Sequence, residues 1–236
     1  MVDAVVVVVA QIPVFAERFR VLAPERRGHG HTADVEGPFT YAEMTMDTIG
    51  FLDKVVGRPA HLVGWSDGRI IGLMVAVARP ELVRKLVVLG TNYDTAGVAP
   101  EAEEMFAHMA PDSPEMADFR SLYETHSPDG PEHWPVVFGK FIEMVQPEPH
   151  ISSDDLGRIS APTLVLVGDD DMVTLEHTAG LFRAIPGFEL AVVPRASHAA
   201  MMEKPELVNR LILDFLEKEP VSTMLPIRRA AEAATR

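Results

Sequence analysis

The pentapeptide Gly64-Trp65-Ser66-Asp67-Gly68 is the feature that most constrains how this chain can fold. It lies between the apolar run His61-Leu62-Val63 and a longer apolar run from Ile70 to Val77. This order predicts a strand, a tight turn and a helix. A serine on so tight a turn projects out of the backbone, and glycines on either side leave the room that this requires. The pattern therefore makes Ser66 a candidate nucleophile.

Short apolar runs rich in β-branched residues recur along the chain and are typical of buried parallel strands. They are Ala4–Ala10, Arg20–Ala23, Ala60–Gly64, Lys85–Gly90, Thr163–Val167 and Glu189–Val193. Helical patterns with an apolar face separate most of these runs. The helical stretches are Tyr41–Val55 with Thr40 as N-cap, Ile70–Ala78, Thr178–Ala184 and Leu207–Leu216. The alternation predicts an α/β fold with a mostly parallel central sheet flanked by helices.

The stretch from Asn92 to Ser160 breaks this alternation, because it contains helical pieces at Glu101–Met109 and Val136–Val145 but no strand pattern. We interpret residues 92–160 as a helical lid over the carboxyl ends of the strands, where open α/β sheets place their sites. Residues 1–91 and 161–219 would form the core, and residues 220–236 a C-terminal tail. Apolar side chains near the lid either line a substrate pocket or simply pack the lid onto the core. The candidate pocket residues are Trp65, Met105, Met109, Trp134, Phe138 and Met172.

Composition narrows the classes of function. The 236 residues carry a formal net charge of −14 without a basic cluster, which disfavours binding to nucleic acid or anionic membranes. The absence of cysteine excludes disulfides, thiol catalysis and cysteine-ligated zinc. The start lacks the positive region of a signal peptide, and the run Ala4–Ala10 is too short to cross a bilayer. We expect a cytoplasmic protein that acts on a small molecule and needs neither a metal nor another cofactor.

A serine hydroxyl needs a neighbouring base, and the base needs an orienting acid. Three acids, Asp169 to Asp171, follow the strand predicted at Thr163–Val167. We favour Asp171, which lies far enough round the turn to point across the edge of the sheet, and assign the other two to the turn or to helix capping. Asp94, just beyond another predicted strand, is the second candidate acid. With His177 the three aspartates could hold a cation, but a simple turn is the preferred interpretation.

The candidate base is His198, which follows the last predicted strand. The other histidines lie in the predicted lid, at the start of a strand or helix, or in a glycine-rich turn. Of the nine histidines, His198 alone combines a position at a strand end with the chain order Ser…Asp…His. We therefore predict that Ser66, Asp171 and His198 meet at one edge of the sheet.

Four motifs resemble those of α/β-hydrolase-fold enzymes, in the same order and over most of the chain, from about residue 13 to residue 217. Their Arg-Gly-His-Gly-x-Ser turn is similar to Pro24-Glu25-Arg26-Arg27-Gly28-His29-Gly30-His31-Thr32, and their nucleophile elbow is similar to Gly64–Gly68. Their acid-bearing strand and turn resemble Pro162–Asp171, and their histidine loop resembles Ser197-His198 followed by Glu203-Lys204-Pro205. The resemblance implies a serine hydrolase of the esterase or haloperoxidase-like branch, acting on a small ester or related acyl compound. Ser66 would be the nucleophile, His198 the base and Asp171 the orienting acid. The backbone N–H of Asp67 would bind the oxyanion.

The chain departs from this family before its first helix. The family's second oxyanion donor lies in a His-Gly-rich loop, whereas here the run Ala4–Ala10 passes through Gln11 and Ile12 directly into Pro13. The antiparallel strands that usually begin the fold have no counterpart in the sequence either. Losing one donor costs about 3–4 kcal/mol of transition-state stabilisation, or about 10²–10³ in rate. We therefore expect a weak hydrolase, with a non-catalytic small-molecule binding protein as the alternative.

Arg69 is a second departure, since many members of the family carry a small residue at this place. We expect its side chain to lie along the surface of the helix. The alternative is that it points into the pocket, where it would crowd the site or bind an acidic group.

Overall fold

Among the residues that the structure describes, the central sheet has four parallel strands in the order β1-β2-β3-β4. The computed structural model describes residues 10–219 and 223–227. The strands are β1 (Ala60–Trp65), β2 (Val83–Leu89), β3 (Thr163–Asp170) and β4 (Glu189–Ser197). Parallel neighbours cannot be joined by a tight hairpin, so each connection crosses over through at least one helix. This confirms the α/β fold with a parallel sheet flanked by helices.

Ten α-helices and several short turns of other helix types surround the sheet in the described residues. In chain order the α-helices are α1 (Ile12–Ala16), α2 (Tyr41–Phe51), α3 (Asp67–Ala78), α4 (Pro100–His108), α5 (Ala117–His126), α6 (Trp134–Val145), α7 (Ser153–Gly157), α8 (Leu175–Ala184), α9 (Ala200–Glu203) and α10 (Pro205–Glu217). Thr40 is the N-cap of α2, as predicted, and its hydroxyl accepts a hydrogen bond from the backbone N–H of Glu43 at 3.1 Å. None of these helices combines the length and the apolar character that crossing a membrane requires.

One predicted strand is wrong. Residues Arg20–Ala23 are irregular in the structure, although their apolar pattern resembles a strand. A strand must exchange its backbone N–H and C=O groups with a neighbour, and no described strand pairs with this segment. The strand predicted at Ala4–Ala10 lies outside the described residues, except for Ala10, which is in a turn.

Both faces of the inner strands β2 and β3 are buried, each against its own hydrophobic cluster. Along β2, Leu86 and Val88 point into the cluster on one face, while Val87 and Leu89 point into the cluster on the other. Helices α2, α3 and α8 cover the first face, and α1 and α10 contribute to the second. The two covered faces explain why residues 86–89 of β2 and 164–167 of β3 are continuously apolar rather than alternating.

The segment between β2 and β3 is helical, and the structure describes no strand within it. Trp134 and Phe138 of α6 belong to the same buried cluster as the core helices α2 and α3. A polar anchor adds to this packing, because the buried carboxylate of Asp34 accepts hydrogen bonds from Lys140 Nζ at 2.7 Å and His133 Nε2 at 2.8 Å. The segment is thus fastened to the core beside the Gly28–Gly30 turn.

Candidate active site

The turn between β1 and α3 holds Ser66 in an unusual backbone conformation. Its φ is 52° and its ψ is −131°, a region that costs a non-glycine residue energy and is often found at functional sites. Gly64 makes the turn possible, because a β-carbon there would lie 2.3 Å from the carbonyl oxygen of Gly68. The strand therefore runs directly into the helix with the serine at the apex, as the sequence predicts.

His198 and Asp171 meet at the edge of the sheet that also carries Ser66. Asp171 follows β3 and His198 follows β4, and the carboxyl ends of neighbouring parallel strands lie side by side. The distance from His198 Nδ1 to Asp171 Oδ1 is 2.9 Å. Since a carboxylate only accepts, Nδ1 carries the proton and Nε2 is left with its lone pair. This is the tautomer that a general base requires.

Backbone groups hold the carboxylate of Asp171 in place. Oδ1 also accepts from the N–H of Val173 at 3.1 Å, and Oδ2 accepts from the N–H of Gly168 at 3.4 Å. The side chain of Asp171 is only 2% exposed. Burial alone would raise the pKa of Asp171, but hydrogen bonds from His198 and Val173 and the positive charge of Arg69 together keep it below its usual value. Asp171 is therefore ionised at neutral pH.

Burial disfavours the charged imidazolium and so lowers the pKa of His198 below its usual value. The hydrogen bond to Asp171 opposes this shift, and the charge of Arg69 adds to it. The imidazole is therefore neutral near pH 7 and can accept a proton.

Two residues that the motifs did not assign to the triad fix the imidazole in space. The indole of Trp65 lies 5.4 Å from the ring of His198, centroid to centroid, and its Nε1 donates to the carbonyl oxygen of His198 at 2.6 Å. Gly90, just after β2, lies against the hydrogen-bonded pair of His198 and Asp171, because a β-carbon there would come 2.7 Å from His198 Nδ1. Trp65 was predicted to line the pocket, whereas Gly90 was missed. The signal that could have identified it is its place as the last residue of the predicted strand Lys85–Gly90.

Asp67, the residue after the serine, belongs to a buried polar group that sequence reasoning also missed. The hydroxyl of Tyr41, at the start of α2, donates to Asp67 Oδ1 at 2.7 Å. Arg26 lies close by, and burial lowers its pKa while the charge of Asp67 opposes that shift. The Tyr41 hydroxyl thus orients the side chain of the residue whose N–H is the candidate oxyanion donor.

The expectation that Arg69 lies along the helix surface is wrong. Its side chain is 5% exposed, and Nη2 donates to Oδ1 of Asn92 at 2.7 Å. The reason is that α3 is packed between α2 and the sheet and is buried on most of its sides, so the side chain of Arg69 faces a neighbouring element rather than solvent. Asn92 follows β2 and meets Arg69 across the edge of the sheet.

The other candidate acids have different partners. Asp94 binds His150 Nδ1 at 2.7 Å and caps the short turn at Thr95–Gly97. Asp169 accepts from the backbone N–H of Ala196 at 3.1 Å, which is a structural contact between β3 and β4. His177 stacks on Tyr93 at 3.9 Å between centroids, and its Nε2 accepts from the N–H of Tyr93. In the part of the chain that the structure describes, no three His, Cys, Asp or Glu side chains are grouped as a metal site.

The candidate pocket residues from the helical segment lie in different environments. Met105 is exposed, Met109 is half-buried, and Trp134 and Phe138 are buried in the core cluster. For Trp134 and Phe138 this favours packing of the segment onto the core. Met172 is half-buried, and its backbone carbonyl accepts from the N–H of Ala99 at 2.8 Å. Trp134 also lines a small cavity of about 20 Å³, which is bordered by Gly28, His29, Gly30, Phe119, Leu122 and Tyr123.

Comparison with known proteins gives consistent matches. A sequence profile described as "Alpha/beta hydrolase family" matches residues 6–211. The serine hydrolase BPHL of Mus musculus is 26% identical over 210 residues, which cover 85% of this chain and 70% of that protein. The "Putative non-heme bromoperoxidase BpoC" of Mycobacterium tuberculosis is 29% identical over 226 residues, which cover 87% of this chain and 86% of BpoC. The solved structure of a thermophilic esterase from Thermogutta terrifontis is 26% identical with a TM-score of 0.69, covering 91% of this chain and 85% of the esterase.

Proposed function

Because the chain belongs to the alpha/beta hydrolase family, we propose that it is a serine hydrolase that cleaves a small carboxylic ester or a related acyl compound. The observation that carries this proposal is the 2.9 Å hydrogen bond between His198 Nδ1 and Asp171 Oδ1, at the sheet edge where the elbow presents Ser66. The similarity to the serine hydrolase BPHL and to the thermophilic esterase supports the reaction class.

In the first half-reaction, Ser66 Oγ attacks the carbonyl carbon of the ester while its proton passes to His198 Nε2. The carbonyl π electrons move to oxygen and form a tetrahedral oxyanion. Asp171 stabilises the imidazolium through the Nδ1 hydrogen bond. When the oxyanion collapses, the bond to the alkoxy group breaks, and His198 returns its proton to the leaving alcohol. The acyl group remains on Ser66.

In the second half-reaction, His198 takes a proton from water, and the oxygen of that water attacks the acyl carbon. Collapse of the second tetrahedral intermediate expels Ser66, which recovers its proton from His198. The carboxylic acid leaves, and the site returns to its starting state.

The backbone N–H of Asp67 is the proposed oxyanion donor, since it follows the nucleophile at the start of α3. The hydrogen bond from Tyr41 to the Asp67 side chain holds that residue while charge develops. Slow turnover is expected because the sequence has no counterpart of the loop that carries the second oxyanion donor. That part of the chain includes residues outside the described structure, so slow turnover stays a prediction.

Active-site labelling tests the proposal directly. A fluorophosphonate probe should modify the wild-type protein at Ser66, fail with Ser66→Ala, and react more slowly with His198→Ala because the serine has lost its base. Mass spectrometry of the labelled peptide locates the site. A folded wild-type protein that binds small acyl compounds but is neither labelled nor active would instead support the non-catalytic binding function.

A peroxide-dependent activity is a second candidate, favoured by the 29% identity to BpoC. In acetate buffer, Ser66 would be acylated by acetic acid with loss of water, and hydrogen peroxide would then attack the acetyl-enzyme and release peracetic acid. Peracetic acid oxidises bromide to hypobromous acid and is itself reduced to acetic acid. Bromination of a phenol-red reporter that needs peroxide and acetate and disappears in Ser66→Ala would support it. Bromination that persists in Ser66→Ala would contradict it.

A further inference from the structure

Arg69 is a buried cation without a carboxylate partner at ion-pair distance among the described residues. The one described hydrogen bond of its guanidinium goes to the neutral amide oxygen of Asn92, and its Nε is buried with no partner in the described part of the chain. The side chain is 95% buried, given its 5% exposure. Buried charges are normally paired, and an unpaired buried donor is costly enough to require an explanation.

The position of Arg69 in its helix adds to this cost. Helix α3 has twelve residues and begins at Asp67, so Arg69 lies in its first turn. The helix dipole is positive there and disfavours a cation, whereas it attracts an anion. No side chain caps this end of the helix. A bound anion would pair with the guanidinium and would also be favoured by the dipole of this helix end.

The two carboxylates whose charges act on Arg69 already have other partners. Asp171 accepts from His198 and from the backbone of Val173 and Gly168. Asp67 accepts from the hydroxyl of Tyr41. Both lie near enough to attract the guanidinium electrostatically, but neither forms an ion pair with it within 4 Å in the described structure. The guanidinium of Arg69 therefore keeps a donor, Nε, that no described residue satisfies.

Arg69 lies one helical turn after Ser66, and its charge acts on Asp171 and His198. The elbow residues Ser66, Asp67 and Gly68 are half-buried, so a small molecule can approach the serine. The hydroxyl of Thr91, next to Asn92, is a second fully buried polar group with no partner in the described residues. Two of the unsatisfied buried groups, Arg69 Nε and Thr91 Oγ1, thus belong to residues at the carboxyl edge of the sheet, one beside the elbow and one just after β2.

We propose that Arg69 binds a carboxylate on the acyl part of the substrate, so that the protein prefers monoesters of dicarboxylic acids to neutral esters. This inference rests on the proposed function, because Ser66 is taken as the nucleophile. A guanidinium matches a carboxylate through paired N–H donors, which fixes its orientation as well as its charge. Binding at this point would hold the second carboxyl group of the substrate away from the reacting ester.

A matched pair of substrates tests the proposal. Monoethyl glutarate and ethyl pentanoate have the same ester and the same acyl chain length, and they differ by a terminal carboxylate. Hydrolysis of each is followed in a pH-stat with wild type, Arg69→Met, Arg69→Lys and Arg79→Met. Arg79 caps the other end of α3 on the protein surface, so its variant loses the same charge away from the site.

The kcat/KM ratio of the charged to the neutral ester should be at least about tenfold in wild type and should fall by about tenfold or more in Arg69→Met. Arg69→Lys should retain part of the preference, and Arg79→Met all of it. Equal ratios in wild type and Arg69→Met would overturn the proposal. Thermal unfolding of each variant verifies that it is folded.

A binding measurement separates this proposal from the proposed function. Calorimetric titration of Ser66→Ala with monoethyl glutarate should detect binding that is weakened about tenfold or more by adding Arg69→Met. Binding with this dependence but no turnover by wild type would uphold the carboxylate site and contradict the hydrolase. Turnover of the neutral ester without any Arg69-dependent preference would uphold the hydrolase and contradict the carboxylate site. A protein that shows no binding and no turnover would contradict both proposals.

Discussion

Gly90 lies directly against His198. A β-carbon on Gly90 would come 2.7 Å from Nδ1 of His198 and 2.9 Å from Oδ2 of Asp171, and Gly90 itself adopts a φ of +61°. The end of β2 therefore forms the wall on which the imidazole and the carboxylate are aligned. The alignment of His198 with Asp171 therefore depends on the two loops that carry these residues and also on the absence of a side chain at Gly90.

Gly90→Ala should reduce kcat by about a hundredfold, because the methyl group must push the imidazole or the carboxylate out of alignment. Steady-state hydrolysis of a short aryl ester measures the loss. Gly57→Ala is the matched control, since Gly57 has a similar φ of +66° but open space around it. Equal losses of activity in the two variants would show that backbone strain, rather than contact with His198, is responsible.

Asp171→Asn should lower kcat by about 10⁴ while leaving the protein folded. An amide can donate to Nδ1 and so favours the wrong tautomer, which leaves Nε2 without its lone pair. Ser66→Ala sets the background rate. Asp94→Asn is the control, because Asp94 binds His150 instead of His198. A larger effect from Asp94→Asn than from Asp171→Asn would contradict the assignment.

The pH profile of kcat/KM should follow the protonation of His198. The base works only when neutral, and burial holds its pKa below the usual 6.5. Activity should therefore fall as the pH falls, with its half-maximal value below pH 6.5, and should be flat above neutrality. Arg69→Met removes a positive charge that lowers this pKa, so its half-maximal pH should be higher than that of wild type. An unchanged or lower midpoint in the variant would be inconsistent with the charge effect.

Arg69→Met should leave the free energy of unfolding unchanged or raise it, by up to about 4 kcal/mol, in the absence of ligand. A buried cation without an ion pair is costly, and an apolar side chain of similar length removes that cost. Urea unfolding of wild type and variant measures the difference. A decrease of more than about 1 kcal/mol would mean that the Asn92 contact stabilises the fold more than burial of the charge destabilises it.

Tyr41→Phe should destabilise the protein by about 1–3 kcal/mol, because the Asp67 carboxylate loses the hydroxyl that donates to it. If Asp67 also shifts, the oxyanion donor moves with it, and kcat should fall more than KM rises. Phenylalanine keeps the ring in the core cluster, so packing is conserved. The double variant Tyr41→Phe, Asp67→Asn should recover part of the lost stability, and a further loss would argue against this pairing.

Local patterns predicted much of the architecture. The strands at Ala60, Lys85, Thr163 and Glu189 and the helix capped by Thr40 are where periodicity and capping chemistry place them. The strand at Arg20–Ala23 was wrong, since an apolar run becomes a strand only beside a partner, and pairing is not a local property.

The sequence by itself determined the serine turn and the two loops that carry Asp171 and His198, because glycine positions, strand ends and chain order are local facts. The tertiary structure decided what surrounds them: the burial of Arg69 against Asn92, the contact of Gly90 with His198, and the bond from Tyr41 to Asp67. Each of these joins residues from different elements. Such contacts depend on how helices and strands pack in space, and no periodicity along the chain encodes which side chain a neighbouring element will present.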